Sequence, residues 1–417
     1  MQRYLRAHMH LPGLIKVREA VAQWRIRAAR CPDRLRLPGL VVALSLALAC
    51  RPGDDQGAYL SADASPRARP DSLLALHGPI AVIGSDEPDG PGLLSGVVSA
   101  LFARRGEIVV ADAGAGTLRL FDSTGALLRT VGGRGSGPGE FAILMEVVRC
   151  TDGSFVARDL GTKLVSYNER LERIDEFARG TDLTDATLLG CVTPRTVLAL
   201  REGDGRVPTA RGLARLPAFV VRADPYATRR DTIVTLAGSD VYFSRRGPYF
   251  LDVPLGARAR AAVAGGRLVA GVSDHDSVTV IPLDGSQRRE IAHGLSRSTI
   301  RADDFARALS ERLAAIPFPS TRKIVAPIGD EIPHPARLPY WDALTADDAG
   351  GIWLRTFEGF DSGDRTWRLF VPGGATSVPV RLPADLQVTD IARGALLGVQ
   401  RDSTGGERVA LFRLGSP

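Results

Sequence analysis

Gly106 to Phe141 reads GEIVVADAGAGTLRLFDSTGALLRTVGGRGSGPGEF, and degraded versions of this phrase recur to the end of the 417-residue chain. The most regular segment of each copy is EIVVAD from Glu107, SFVARD from Ser154, TVLALRE from Thr196, RLVAGVSD from Arg267, GIWLRTFE from Gly351 and ALLGVQRD from Ala395. All six alternate apolar with small or polar residues at period 2, the pattern of a strand whose two faces pack differently. A second strand and a tight turn follow, as in TLRLFDSTGALLRTV and SVTVIPLDGSQRREI, with Gly, Asp, Asn or Pro at the turn positions. Gly106 and Gly153 are 47 residues apart and Gly351 and Gly394 are 43 apart, close to the roughly 40–50 of a four-stranded blade. Six such units predict an all-β, six-bladed β-propeller.

Two intervals are longer than the rest. One holds an aromatic insertion at about 239–256, with VYFSRRGPYFLDVPLG starting at Val241. The other, at about 299–340, places Phe305, Leu309, Leu313 and Ile316 on one helical face behind Asp303 and Asp304, which predicts one short amphipathic helix lying on the propeller. The last unit ends at Leu414 after three strands, so its fourth must come from elsewhere. Pro79 to Leu94, PIAVIGSDEPDGPGLL, resembles the outer strand and Gly-rich crossover of the first repeat. Ile80 to Ile83 is therefore expected to pair with the C-terminal blade and close the ring, since closure leaves only short, protected edges.

The run VVADAGAGTLRLFDSTGALLRTVGGRGSGPGEF resembles an NHL repeat, and roughly Leu73 to Leu414 is similar to bacterial six-bladed β-propeller lipoproteins. The chain departs from the repeat after Phe141, where AILMEVV stands in place of an early Pro.

Upstream, composition changes abruptly. Leu37 to Ala49, LPGLVVALSLALA, is uncharged and apolar, too short to span a bilayer and of the size of a signal-peptide core. Ala49 before Cys50 resembles a bacterial lipoprotein cleavage box, with Ala47 and Leu48 in reversed order, and makes Cys50 the expected lipidation site. An ordinary secretory signal cut nearby, or an uncleaved anchor, is the alternative. The chain thus divides into a leader with signal peptide (1–49), a flexible Pro-, Ala-, Asp- and Ser-rich tether (50–72) and the propeller (73–417). Arg51 follows the expected lipidated cysteine. By resemblance to Gram-negative lipoproteins, it implies an outer-membrane anchor facing the periplasm or cell surface. Residues 1–36 carry nine Lys or Arg against Glu19 and Asp33, a net +7, whereas the whole chain is +6. The positive balance belongs to the leader, so no nucleic-acid partner is expected.

Cys150 and Cys191 occupy similar positions in successive units, each just before the turn into the regular strand. A disulfide between them is one reading in an oxidising compartment. Two buried thiols are the other, because equivalent points on neighbouring blades can exceed the roughly 7 Å Cα separation a disulfide tolerates.

An acid ends each regular strand: Asp112, Asp159, Glu202, Asp274, Glu358 and Asp402. They lie five or seven positions from equivalent strand starts, and a two-residue difference keeps a side chain on the same face. Six acids at one end of a ring could attract a cation, calcium being the candidate, or a cationic ligand. Alternatively, each carboxylate accepts backbone N–H groups of the following turn. No cofactor is otherwise expected.

Catalytic constellations are sparse. Gluconolactonase-type propellers use carboxylates with Asn, and Asn168 in a turn is the only asparagine here. The histidines after the leader, His77, His275, His293 and His334, share no repeat position. His275 lies between Asp274 and Asp276 in SDHDS, as either a polar dyad or an exposed turn residue. No nucleophile elbow, Walker loop or zinc spacing is present. The expectation is a non-catalytic, extracytoplasmic, lipid-anchored propeller that binds a protein, peptide or glycan. Tyr242, Phe243, Tyr249, Phe250, Tyr340 and Trp341 in the insertions are candidate contacts, or else core. The alternative is a metal-dependent hydrolase or lactonase using the acids.

Overall fold

The computed structural model describes residues 75–415 apart from 85–91, 161–162, 179–182, 184–185, 205–209, 225–229, 248, 315, 317–318, 358–363, 372–376 and 403–404. Residues 1–74, where the leader and the tether with Cys50 are expected, and Glu358 lie outside the described residues. Strand β1 (Ala75–Ile83) is followed by six sheets in chain order. Blade 1 is β2 (Val97–Phe102), β3 (Ile108–Asp112), β4 (Thr117–Phe121) and β5 (Leu127–Gly132). Blade 2 is β6 (Leu144–Arg149), β7 (Phe155–Asp159), β8 (Lys163–Tyr167) and β9 (Arg173–Ala178). Blade 3 has five strands, β10 (Ala186–Thr193), β11 (Thr196–Glu202), β12 (Gly212–Ala223), β13 (Arg230–Phe243) and β14 (Phe250–Asp252). Blade 4 comprises β15 (Ala259–Ala264), β16 (Arg267–Val272), β17 (Ser277–Pro282) and β18 (Arg289–Ala292). Helices α1 (Ala302–Ala314) and α2 (Pro319–Gly329) intervene before blade 5, β19 (Ala343–Ala346), β20 (Ile352–Arg355), β21 (Asp364–Phe370) and β22 (Ser377–Pro383). Blade 6 is β23 (Gln387–Ala392), β24 (Ala395–Arg401), β25 (Glu407–Gly415) and, outermost, β1.

The expected six-bladed ring is the observed one, and β1 closes it. The strand runs antiparallel to β25, with Ile83 opposite Val409 and Ala81 opposite Leu411, and a register shift lies between His77 and Ala81.

Period 2 explains how the blades stack. Ile108 and Val110 of β3 belong to the core between blades 6 and 1, while Val109 and Ala111 belong to the core between blades 1 and 2. In β24, Leu397 and Val399 pack toward blade 1 and Leu396 toward blade 5. The core is thus distributed over the seams between neighbouring sheets, which is why β3 is buried along its whole length.

The insertion before blade 5 holds two helices, where the sequence predicts one. Helix α1 is the expected helix, with Phe305 buried and Asp303 and Asp304 in its first turn. Helix α2 begins at Pro319, a position where the missing N–H is no loss, and buries Val325 and Ile328 one turn apart. Both pack on the end of blade 3, where Phe305, Ile316, Val325, Ile328 and Ile332 meet Tyr242, Leu251 and Val253. Of the aromatic residues of the first insertion, Tyr242 and Phe243 are buried at the end of β13, whereas Tyr249 and Phe250 are half-buried, Phe250 in tilted contact with Phe243 at 5.3 Å between ring centroids. Trp341 is fully buried.

Cys150 and Cys191 form a disulfide with Cα atoms 4.2 Å apart. The larger separation weighed above does not occur, because Cys150 closes β6 and Cys191 lies in β10, and these are the innermost strands of blades 2 and 3, where neighbouring sheets run closest together.

Candidate functional site: the upper end of the channel and its cap

In each blade the turn between second and third strands lies at one end of the ring, here termed upper, and the turn between first and second strands at the lower end. Blade-to-blade crossovers also emerge at the upper end, so α1 and α2 form a cap there on blade 3.

The five described acids of the repeat stand at the upper end but serve different partners. Asp112 is fully buried, with Oδ1 accepting the N–H groups of Gly114 (2.9 Å) and Ala115 (3.2 Å), and Oδ2 that of Ser95 (3.3 Å). The turn it holds passes so close to Ser95 that a Cβ on Gly114 would sit 1.6 Å from the Ser95 carbonyl oxygen. Asp159 accepts the N–H of Ile143 at 2.7 Å. Glu202 accepts the Ser239 hydroxyl. Asp274 pairs with Arg215 at 2.8 Å, and Asp402 accepts the N–H of Gly406 at 2.8 Å. Four of the five therefore accept backbone or hydroxyl donors, Asp112 pairing with Arg119 at 3.4 Å as well, and the fifth accepts an arginine. Among the described residues no three His, Cys, Asp or Glu side chains gather as a group that could hold a metal ion. His275 is half exposed and lies 4.0 Å from Asp274.

The channel between the innermost strands is a cavity of about 930 Å³. Leu101, Leu189 and Val263 line it together with the hydroxyl-bearing Ser99, Thr187 and Thr345. Its lower end is tied across three blades. Arg149 at the end of β6 pairs with Asp390 of β23 at 2.6 Å and donates to the Phe102 carbonyl at 2.6 Å, while Asp390 Oδ2 accepts the Phe102 N–H at 2.9 Å. The Asp390 charge holds the Arg149 guanidinium above its ordinary value. Blades 2 and 6 are thereby locked through blade 1.

At the upper end, between the cap and the starts of blades 4 and 5, arginines and carboxylates pair. Asp252, at the end of β14, is shared by Arg258 at 2.7 Å and by Arg312 of α1. Burial disfavours its charge, but Arg258 and Arg312 outweigh that and hold the carboxyl well below the usual carboxylate range. Arg355 grips Asp342 with two bonds of 2.6 and 3.0 Å. The cap is tied to blade 3 a second time by Glu331, which accepts from Arg246 at 2.6 Å, the Arg245 N–H at 3.2 Å and the Tyr242 hydroxyl at 3.3 Å.

These arginine clusters were not among the residues read from the sequence. The available signal was a charge within a short apolar inner strand, as in LMEVVR for Arg149, QVTDIA for Asp390 and ARAAVA for Arg260.

No protein-family model matches the sequence, and no curated protein matches it. Solved structures do resemble the fold. A Bacteroides fragilis protein described as exported shares 12% identity over 82% of this chain and 96% of its own, with a TM-score of 0.45. A DUF4221-family member from Bacteroides vulgatus shares 10% over 83% and 97%, also with a TM-score of 0.45. The virginiamycin B lyase of Staphylococcus aureus shares 10% over 77% and 96%, with a TM-score of 0.38. Likeness this distant assigns neither a family nor an activity to the chain. The class its own topology defines is the six-bladed β-propeller closed by its N-terminal strand.

Proposed function

We propose that this chain is a non-catalytic binding propeller that works outside the cytoplasm, held to a membrane by lipid on Cys50, and that its NHL-like repeats serve as the scaffold for the upper end. The observation that carries this reading is the cap. Two helices that share one hydrophobic core with the end of blade 3 are fixed to that end of the ring by Asp252–Arg312 and by Glu331, and a rigid scaffold presenting one elaborated end is how binding surfaces are commonly built. The partner would be a protein, peptide or glycan engaged at that end.

The test replaces residues 300–337 with a short Gly/Ser linker in the mature chain. Candidate glycans and peptides are screened on the intact protein, and each binder is retested on the capless one. Binding that vanishes with the cap while cooperative unfolding persists supports the reading; binding unchanged by cap removal overturns it. The competing hydrolase reading predicts stoichiometric calcium or zinc and lactone-opening activity, both lost when Asp112 and Asp274 become Asn. Against that reading stands the commitment of Asp112 to three backbone N–H groups. Lipid on Cys50 is checked by mass spectrometry of the membrane-extracted protein, where Cys50→Ala should abolish the acyl mass.

A further inference from the structure

We infer that Arg258, Arg260 and Arg312 form an oxyanion site at the upper end, beneath the cap, taking a carboxylate or phosphate group of the bound ligand; this rests on the binding reading above and adds the chemical class of the ligand. Arg258 and Arg260 are two residues apart at the start of β15, so the pleat directs them to the same face. Arg312 reaches them from the cap. Three guanidiniums thus converge from two elements, and among the described residues the one carboxylate in ion-pair contact with the group, Asp252, is already divided between Arg258 and Arg312.

Arg260 is the odd member. Among the described residues its guanidinium has no carboxylate within ion-pair distance, and its hydrogen bond goes to the Ala259 carbonyl at 3.1 Å. The next acids within electrostatic reach are Glu202 and Asp342. Glu202 accepts the Ser239 hydroxyl, and Asp342 is held by both arms of Arg355. Among the described residues four guanidiniums therefore face three carboxylates, and the unmatched cation is half-buried beside the cap. Burial, then the Arg258 charge, pushes Arg260 below its ordinary value. Arg312 is pushed down to about 10 by burial, with Arg258 and Arg260 adding to the effect against Asp252. A positive charge held away from water without a partner is costly. The planar guanidinium fork is suited to the two oxygens of a carboxylate or phosphate, so an arriving oxyanion would supply the missing charge.

The experiment uses the mature full chain and inorganic phosphate and acetate as separate probes, each read by thermal unfolding and calorimetric titration against sodium chloride at matched ionic strength. At least one probe should raise the melting temperature beyond chloride. Arg260→Gln should weaken that binding at least tenfold while melting no lower than wild type in anion-free buffer, since it removes an unmatched cation. Arg129→Gln, on the outer rim, should leave the response intact. A response to phosphate alone assigns phosphorylated ligands, and a response to both probes assigns carboxylates as well. No shift beyond chloride, or an equal shift in Arg260→Gln, overturns the site. If the anions have no effect while cap removal still abolishes partner binding, this inference falls and the binding reading stands.

Discussion

Asp390 and Arg149 show how much can depend on a charge placed inside an apolar strand. Removing the carboxylate with Asp390→Ala leaves the Arg149 guanidinium without its ion pair and the Phe102 N–H without an acceptor. We expect a loss of about 3 kcal/mol, the usual result of breaking such a pair from one side, read as a lower urea midpoint at unchanged slope. The double variant Arg149→Met/Asp390→Leu should recover most of it. His293 offers a pH test. Its Nε2 lies 2.9 Å from the His275 carbonyl and its Nδ1 accepts the Leu295 N–H at 3.2 Å, a neutral tautomer. Burial lowers its pKa from the ordinary 6.5, against the opposing pull of the His275 carbonyl and Asp276. The folded protein therefore takes up the proton less readily than the unfolded chain, so the His293 contribution is complete above pH 6.5 and is lost as pH falls through the lower folded value. His293→Gln should flatten the decline in melting temperature below pH 6.5. At this scale the sequence was only partly informative. The turn-capping behaviour of Asp112 was one of two readings that its position beside AGAG allowed. Arg260 and Arg312 could not have been paired from their positions, because 52 residues separate them and only the docking of α1 on blade 3 brings them together.

Among the elements, the regular second strands were legible because both of their faces are buried against neighbouring sheets, which preserves apolar alternation in every copy. Helix α2 was not. Pro319 and Pro327 argue for a loop when read locally, and the burial that stabilises the helix comes from Tyr242 and Leu251 in another blade. The disulfide was undecided for a related reason: the sequence spacing equates Cys150 with Cys191 but does not say how near the axis they sit. Cys150→Ser/Cys191→Ser should lower stability by about 4 kcal/mol on the chain-entropy account for a link spanning 41 residues, measured by denaturant unfolding without reductant. Strand β1 is tested by removing it. A chain beginning at residue 92 leaves β25 as an uncovered edge and exposes one side of Val409 and Leu411, which pack with Ala81 and Ile83. Self-association in size-exclusion chromatography and loss of a single cooperative transition are the expected outcomes.

For the molecule as a whole, the seams are cross-tied by polar bonds as well as packed. Glu407 of blade 6 accepts the N–H groups of Gly96 (2.8 Å) and Val97 in blade 1, and Ser99 of blade 1 accepts the Val147 N–H of blade 2 at 3.1 Å. Glu146 of blade 2 accepts the Leu188 N–H of blade 3 at 3.1 Å, and Ser239 of blade 3 accepts the Ala259 N–H of blade 4 at 3.0 Å. Each such bond satisfies an N–H in or just before an innermost strand, on the edge that the blade's own ladder leaves open, and couples one blade to the next. Architecture was therefore readable from repetition, while the properties that make this ring different from others lie in the two intervals that break the repeat.

Pairing β1 with β25 also sets an order of assembly. Within the propeller the strand made first must wait for the strand made last, since Ile83 meets Val409 across 326 residues of chain. Contacts so remote in sequence form late and slowly. Until they do, an apolar strand with Ile80 and Val82 on its open face, 51% and 43% exposed even in the finished ring, stays available to other nascent chains. Folding of this ring thus has a vulnerable interval that lasts until its final strand is in place.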